Sequence, residues 1–267
     1  MASATDDVTD RAAFGQKVDH LDRFARASAA RKQQVYARLQ VRAGQHVLDV
    51  GCGVGADTLP LGRLVGPTGH VSGIDADRDA VAEANRRATA AGVGAWVAHR
   101  VGDAYALPFP DDAFDACHSE RVFLHLARPE QAVGELVRVT KPGGRVAIID
   151  GDGASFSIDT PEADVERRIV PFWAAKHRNG FAGRQLYRQC KHQGLVDVEA
   201  ELSPGPILEY PLFARLFGLD DIQARALRAG AVTVEEAARF RTSLEAAAAD
   251  GTFFAIGGVV TVVGRKP

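Results

Sequence analysis

The sequence predicts an α/β fold in which a doubly wound, mostly parallel sheet is covered by helices on both faces. Three observations carry that prediction. Short apolar runs alternate with amphipathic or Ala-rich stretches between residues 45 and 150, a rhythm that builds parallel strands joined by helical crossovers. Several of these runs end in glycine or aspartate, and right-handed crossovers bring their carboxyl ends to one edge of the sheet. A last β-prone run, residues 253–263, lies close to the end of the sequence.

The elements follow in order. About ten polar, acidic residues at the start read as an unstructured tail. From 14 to 39 the pattern is helical. Val18, Leu21, Phe24, Ala25, Val35, Tyr36 and Leu39 recur at helical spacing, and Arg23, Arg26, Arg31, Lys32 and Arg38 take the opposite face. Residues 46–50 read as a first strand and 58–64 as a helix stopped by Gly66-Pro67. A second strand at 70–75, a helix at 77–91 and a third strand at 96–101 follow. Two prolines and paired acids make 107–112 a loop. A fourth strand at 114–118, a helix at 129–140 and a fifth strand at 144–150 complete the alternation. Beyond it, 162–178 and 183–193 read as helices and 195–202 as a strand. Pro204-Gly205-Pro206 then breaks the chain, and 212–249 is helical in two pieces parted near Gly230.

Composition narrows the function classes. The 267 residues, 46 % hydrophobic, suit one domain with a sizeable insertion. With 32 basic against 34 acidic residues and a net charge of −2, the chain has no sequence-wide basic surface, so nucleic acid is not expected as a partner. No run approaches the ~18 apolar residues of a membrane span, and the opening residues lack a signal-peptide pattern. Cys52, Cys117 and Cys190 are far apart, with no CxxC spacing. They read as reduced buried thiols in a cytoplasmic protein, and no metal is expected.

The strongest motif is Val47-Leu48-Asp49-Val50-Gly51-Cys52-Gly53-Val54-Gly55. An apolar strand runs into a glycine turn and then a helix, so a ligand can approach the backbone beside an electropositive helix start. The glycines lack the dinucleotide spacing, and Asp57 would repel a pyrophosphate there. Next comes Gly73-Ile74-Asp75, an acid at a strand's carboxyl end placed to accept both hydroxyls of a ribose, with a helix N-cap as the alternative role. Third is Gly102-Asp103-Ala104, where the carboxylate can accept a hydrogen bond from an exocyclic amine such as that of adenine.

In this order DVGCGVG, GID, GDA, FDACHSERVFLHL and KPGG, the sequence resembles the class I S-adenosylmethionine (SAM)-dependent methyltransferases over roughly residues 40–150. It is most similar to the group that includes ubiquinone/menaquinone C-methyltransferases and bacterial natural-product methyltransferases. The resemblance implies a seven-stranded, Rossmann-like sheet with an antiparallel last strand. Asp49 and the turn Gly51, Cys52, Gly53 and Gly55 would then contact the methionine half of SAM. Asp75 and Ala76 would hold the ribose, and Gly102, Asp103 and Ala104 the adenine. Ser119 and Glu120 would lie near the sulfonium. Many relatives read His-His where this chain has Leu124-His125, which leaves one imidazole there. The implied organisation is a tail and lid helix at 1–40, a SAM-binding core at 41–202, a helical substrate cap at 203–250 and the final core strand at 251–267.

Methyl transfer needs in-line placement and a dry site, and a base only when the nucleophile is protonated. His125 is the leading base candidate, since an imidazole titrating near ~6.5 suits the task. Glu120, alternatively the partner of Arg121, and Asp150 stand behind it, followed by Asp152 and by His177 and Arg178. His118 reads as buried structure. Arg31 or Gln33 could reach the SAM carboxylate. Tyr36, Phe172, Trp173, Tyr210, Phe213 and Phe217 read either as an apolar pocket wall or as ordinary core. The expected substrate is a small apolar metabolite methylated on O, N or C, and a homodimer is left open. A SAM-binding fold-mate that catalyses a cyclisation, or a non-catalytic SAM-binding module, are the alternatives.

Overall fold

The computed structural model describes residues 4–267, with side chains from Phe14 onward apart from those of His20 and Pro204. Helix α1 spans Ala4–Ala27 and α2 Ala29–Leu39. The expected tail is thus helical from Ala4, and residues 1–3 lie outside the described residues. Propagation from the packed end of α1 carries the helix back over polar residues that would not nucleate one. Ser28 separates the two helices and donates its hydroxyl to the Phe24 carbonyl at 2.7 Å.

The sheet is built from β1 (His46–Val50), β2 (His70–Asp75), β3 (Val97–Val101), β4 (Phe114–Glu120), β5 (Thr140–Gly151), β6 (Ser157–Ile158), β7 (Val196–Ile207) and β8 (Ala255–Arg265). Its order is β3-β2-β1-β4-β5-β8-β6, with β7 on the outer side of β8. β1 to β5 are mutually parallel, and β8 runs antiparallel to β5. The expected doubly wound sheet with an antiparallel last strand is observed, and the two-residue β6 makes eight strands of the expected seven. Helices α3 (Thr58–Val65), α4 (Arg78–Ala90) and α5 (Pro129–Val139) are the crossovers. The strand period of two sends Leu48, Val50 and Cys117 into the core on one face, and Val47, Ala116 and Ala147 into the core on the other.

The last third departs from the sequence reading. Strand β7 does not stop before Pro204-Gly205-Pro206 but runs through it, paired in register from Glu199 opposite Val263 to Ile207 opposite Ala255. It is an edge strand, so its prolines forfeit no ladder bond on an inner side. The helical insert therefore begins at α9 (Tyr210–Phe217) rather than at 203, and continues through α10 (Leu219–Arg228) and α11 (Val234–Ala249). Between β6 and β7 lie α6 (Ala163–Ile169), α7 (Pro171–Ala175) and α8 (Ala182–His192), with Pro171 dividing the expected 162–178 helix. The insert packs with α6 and α7 around a second core containing Ile169, Trp173, Phe213, Ile222 and Phe240. Among the described residues no helix is long and apolar enough to cross a membrane. The three cysteines are free and buried.

Candidate active site

The strand order reverses between β1 and β4, and the crevice outside their carboxyl ends is where open α/β sheets take ligands. The glycine turn sits there. Gly51 has a φ of +77° and Gly53 of +51°, a region L side chains rarely adopt. A Cβ on Gly51 would stand 2.0 Å from Val122 Cγ2, so only glycine lets the turn pass under the β4 loop. The Gly51 and Cys52 amides donate to the Ile74 carbonyl at 2.7 and 3.1 Å. The Gly53 amide donates to Asp75 Oδ2 at 2.8 Å.

Asp75 is not the helix N-cap. Asp77 caps α4 by accepting from the Asp79 and Ala80 amides, while Asp75 Oδ1 accepts from the Asp77 amide at 2.9 Å. Two backbone donors therefore fix the Asp75 carboxylate at the sheet edge. Asp103 is exposed and accepts from the Tyr105 amide at 2.9 Å.

These residues enclose a cavity of about 390 Å³, a size that suits a small-molecule site. Gly51, Cys52, Gly53, Asp75, Ala76, Gly102, Asp103, Ala104, Glu120 and His125 all line it. Asp49, Gly55, Ser119 and Asp150 do not. Gly55, with a φ of +86°, packs against Thr58 and Ala84, and Ser119 donates to the Val50 carbonyl at 2.8 Å. The opposite wall comes from Lys17, Leu21, Phe24, Ala25 and Lys32 of the first two helices and from Ser28 between them. Their spacing of three and four is the signal that could have identified this wall. None of the aromatic residues weighed as pocket wall lines the cavity. Trp173, Phe213 and Phe217 stack with Phe156 in the second core, and Tyr36 is buried against Asp57. No residue of the insert reaches the cavity either.

Beneath the cavity lies a buried charge network. The strand period puts Asp49, His118 and Glu120 on the face that α2 covers. Asp49 Oδ1 and His118 Nδ1 are 2.8 Å apart. Lys32 Nζ donates to Asp57 Oδ2 at 2.5 Å and pairs with Glu120 Oε2 at 2.8 Å. Tyr36 donates to Asp57 Oδ1 at 2.5 Å, and Arg31 to Glu120 Oε1 at 2.7 Å. Lys32, which the sequence places on the basic face of the helix, is buried, because it pairs with Asp57 at the start of α3 and with Glu120 at the end of β4. Glu120 pairs with Arg31 and Lys32, not with Arg121, so Arg31 is spent on Glu120. Burial pulls the His118 imidazole down, yet the surrounding Asp57, Asp49 and Glu120 carboxylates raise it above its ordinary value. Asp49, Asp57 and His118 bring ligand atoms within 4.8 Å of one another, with the Lys32 ammonium already on Asp57.

At the cavity mouth, His125 is exposed and its imidazole is pulled below its ordinary value by partial burial, then by Arg121 and Lys17. The His177 ring meets it edge-on, with centroids 5.6 Å apart. A second imidazole thus comes from the turn after α7 instead of from position 124. Asp150 is buried behind the mouth, where it accepts from the Leu124 and Gly151 amides at 3.0 and 2.8 Å. Burial pushes its carboxyl up to about 7. Asp152 is held by Arg184 and does not reach the cavity, and Arg178 is exposed.

Residues 48–148 match the methyltransferase domain family. The chain is 33 % identical over 256 residues to an uncharacterized 37.1 kDa protein in transposon TN4556 of Streptomyces fradiae, covering 95 % of this chain and 72 % of that one. It is 28 % identical to the demethylmenaquinone methyltransferase of Halalkalibacterium halodurans, over 79 % of this chain and 82 % of the relative. The chain belongs to the class I SAM-dependent methyltransferases. Among solved structures, the [4+2]-cyclase SpnF superposes with a TM-score of 0.57 at 26 % identity, over 88 % of this chain and 80 % of that one. The cofactor of the family is SAM, and the methyltransferase site fits it. The Gly51 cradle is one that a Cβ would fill, and the Asp75 and Asp103 carboxylates, each accepting from backbone amides, line the same cavity.

Proposed function

We propose that this chain transfers the methyl group of SAM to an oxygen, nitrogen or carbon of a small metabolite with an apolar body. The observation that carries the reading is a cavity in which the glycine turn, Asp75 and Asp103 meet Glu120 and His125. Asp75 accepts the ribose hydroxyls, and Asp103, with Gly102 and Ala104, faces the adenine amine. Ala76 adjoins the ribose, and Gly51, Cys52 and Gly53 cradle the methionine half. Asp49, Gly55 and Ser119 act from behind this surface, by holding His118, the start of α3 and β1 respectively.

Bound SAM supplies an electrophilic methyl on a sulfonium, so the protein's task is placement and exclusion of water. Leu21 and Phe24 of α1, the proposed lid helix, keep that region dry from above. Glu120, fixed by Arg31 and Lys32, sets the negative charge beside the sulfonium. His125 takes the proton of a protonated acceptor, being neutral and available at pH 7. Asp150 acts by holding the Leu124 amide, and so the backbone before His125.

Incubation with methyl-labelled SAM and a panel of phenols, amines and enols tests the reading. Label in a product supports methyl transfer. Product without label would assign the chain to cyclisation, the reaction in the name of its structural neighbour. SAM binding with no turnover would make it a binding module.

A further inference from the structure

The cavity mouth holds a cation, Arg121, with no ion-paired carboxylate among the described residues. Arg121 follows β4 in a left-handed conformation, φ +61°, a strain that persists only where the surroundings enforce it. Its guanidinium stacks on the Phe24 ring, 3.9 Å from the centroid, and lines the cavity. Among the described residues it makes no side-chain hydrogen bond or ion pair, although burial holds it below the usual arginine value. A desolvated guanidinium without an anion is costly.

The carboxylates nearest to it are engaged elsewhere. Glu120 belongs to Arg31 and Lys32. Asp150 accepts two backbone amides and is half protonated near neutrality. The groups facing His125 and His177 are Arg121 after β4, Lys17 of α1 and Lys176 after α7. All are cations, and among the described residues Lys17 alone of these has a carboxylate partner, Asp77.

We propose that the acceptor carries an anionic group, a carboxylate or a phosphate, that seats on Arg121 with His125 and His177 beside it. The apolar body of the molecule lies against Val122, Leu126 and Phe24. The fork of the guanidinium matches either oxyanion. The proposal rests on the SAM-site reading above and narrows its substrate class.

The test uses the full chain saturated with S-adenosylhomocysteine (SAH), so that the cofactor's own carboxylate is already seated. Binding of 1-naphthoate, 1-naphthyl phosphate and neutral 1-naphthol is compared by calorimetry at low salt. At least one anion is expected to bind about tenfold or more tightly than the alcohol, and to lose that margin as salt rises. R121Q is expected to erase the margin without changing SAH affinity, and R121K to retain part of it. The His125 and His177 ring resonances are expected to titrate at higher pH with the anion bound. Whichever anion wins names the group.

Equal binding of all three probes overturns the proposal and leaves the cofactor reading intact. So does an R121Q variant that loses SAH affinity but keeps anion selectivity, since Arg121 would then hold the cofactor. Failure of SAH to bind overturns both. The selectivity of the unmodified chain is decisive even if R121Q does not fold.

Discussion

Replacing Lys32 with methionine keeps the length of the side chain and removes its ammonium. In the folded chain that ammonium lies 2.5 Å from Asp57 and 2.8 Å from Glu120, with all three side chains no more than 11 % exposed. Breaking one partner of a buried ion pair costs about 3–5 kcal/mol. Asp57 keeps the Tyr36 hydroxyl and Glu120 keeps Arg31, so the lower end applies, about 3 kcal/mol. At about 2–4 °C per kcal/mol for a chain of this size, Tm should fall by about 6–12 °C. Burial pushes both carboxyls up, but the cations bring them below their ordinary values, Asp57 through His118 and Lys32 and Glu120 through Lys32 and Arg31. Depressed carboxylates stabilise above the unfolded pKa of about 4 and lose that contribution as pH falls through the folded value. Without Lys32 the folded values rise, so protonation relieves the unpaired charge. The loss should be full at pH 8 and smaller at pH 5. Scanning calorimetry of wild type and K32M at both pH values measures it. A drop under about 2 °C at pH 8, or the same drop at both, would refute the argument that this network is a paired, charged one.

Three further outcomes are expected. Asp75→Ala should weaken SAH by about 10- to 100-fold, through loss of a charged hydrogen-bond acceptor, and calorimetric titration reads it directly. Gly51→Ala should destabilise by about 2–5 kcal/mol, combining a left-handed residue with overpacking, because its Cβ meets Val122 Cγ2 at 2.0 Å; the urea midpoint checks this. His125→Gln should lower kcat/KM by about 10²–10⁴ on a protonated acceptor and abolish the acidic limb of the pH profile. In the wild type that limb falls below pH 6.5, since burial, Arg121 and Lys17 all lower the imidazole. A limb above 6.5 would remove His125 from the base role.

Much of this was legible because it is local. Strands β1 and β2 are apolar runs closed by Gly51 and Asp75, and their bounds follow from residue types alone. Asp75, Asp103 and the glycines converge because parallel strands share one carboxyl edge, which topology dictates. What escaped the sequence depends on partners distant in the chain. Lys32 looks like one of several basic residues on a polar helix face until Asp57 and Glu120 are placed opposite it. Tyr36, Trp173, Phe213 and Phe217 have the spacing of a pocket wall and of a core alike; the central strands under α2 make the first core, and the packing of the insert on α6 and α7 makes the others core. The prolines at 204 and 206 would break an inner strand but not an edge one. His177 lies 52 positions beyond His125, and only the fold of the α7 turn brings the two rings together.

The most direct test of the central claim is a crystal structure of this chain with SAH bound. The ribose hydroxyls are expected on Asp75, the adenine beside Asp103 and Ala104, and the homocysteine over Gly51 and Gly53. The sulfur would face Glu120 and His125 beneath Phe24. SAH seated outside this cavity, or within it with its ribose turned away from Asp75, would show that the glycine turn and Asp75 do not form the cofactor site.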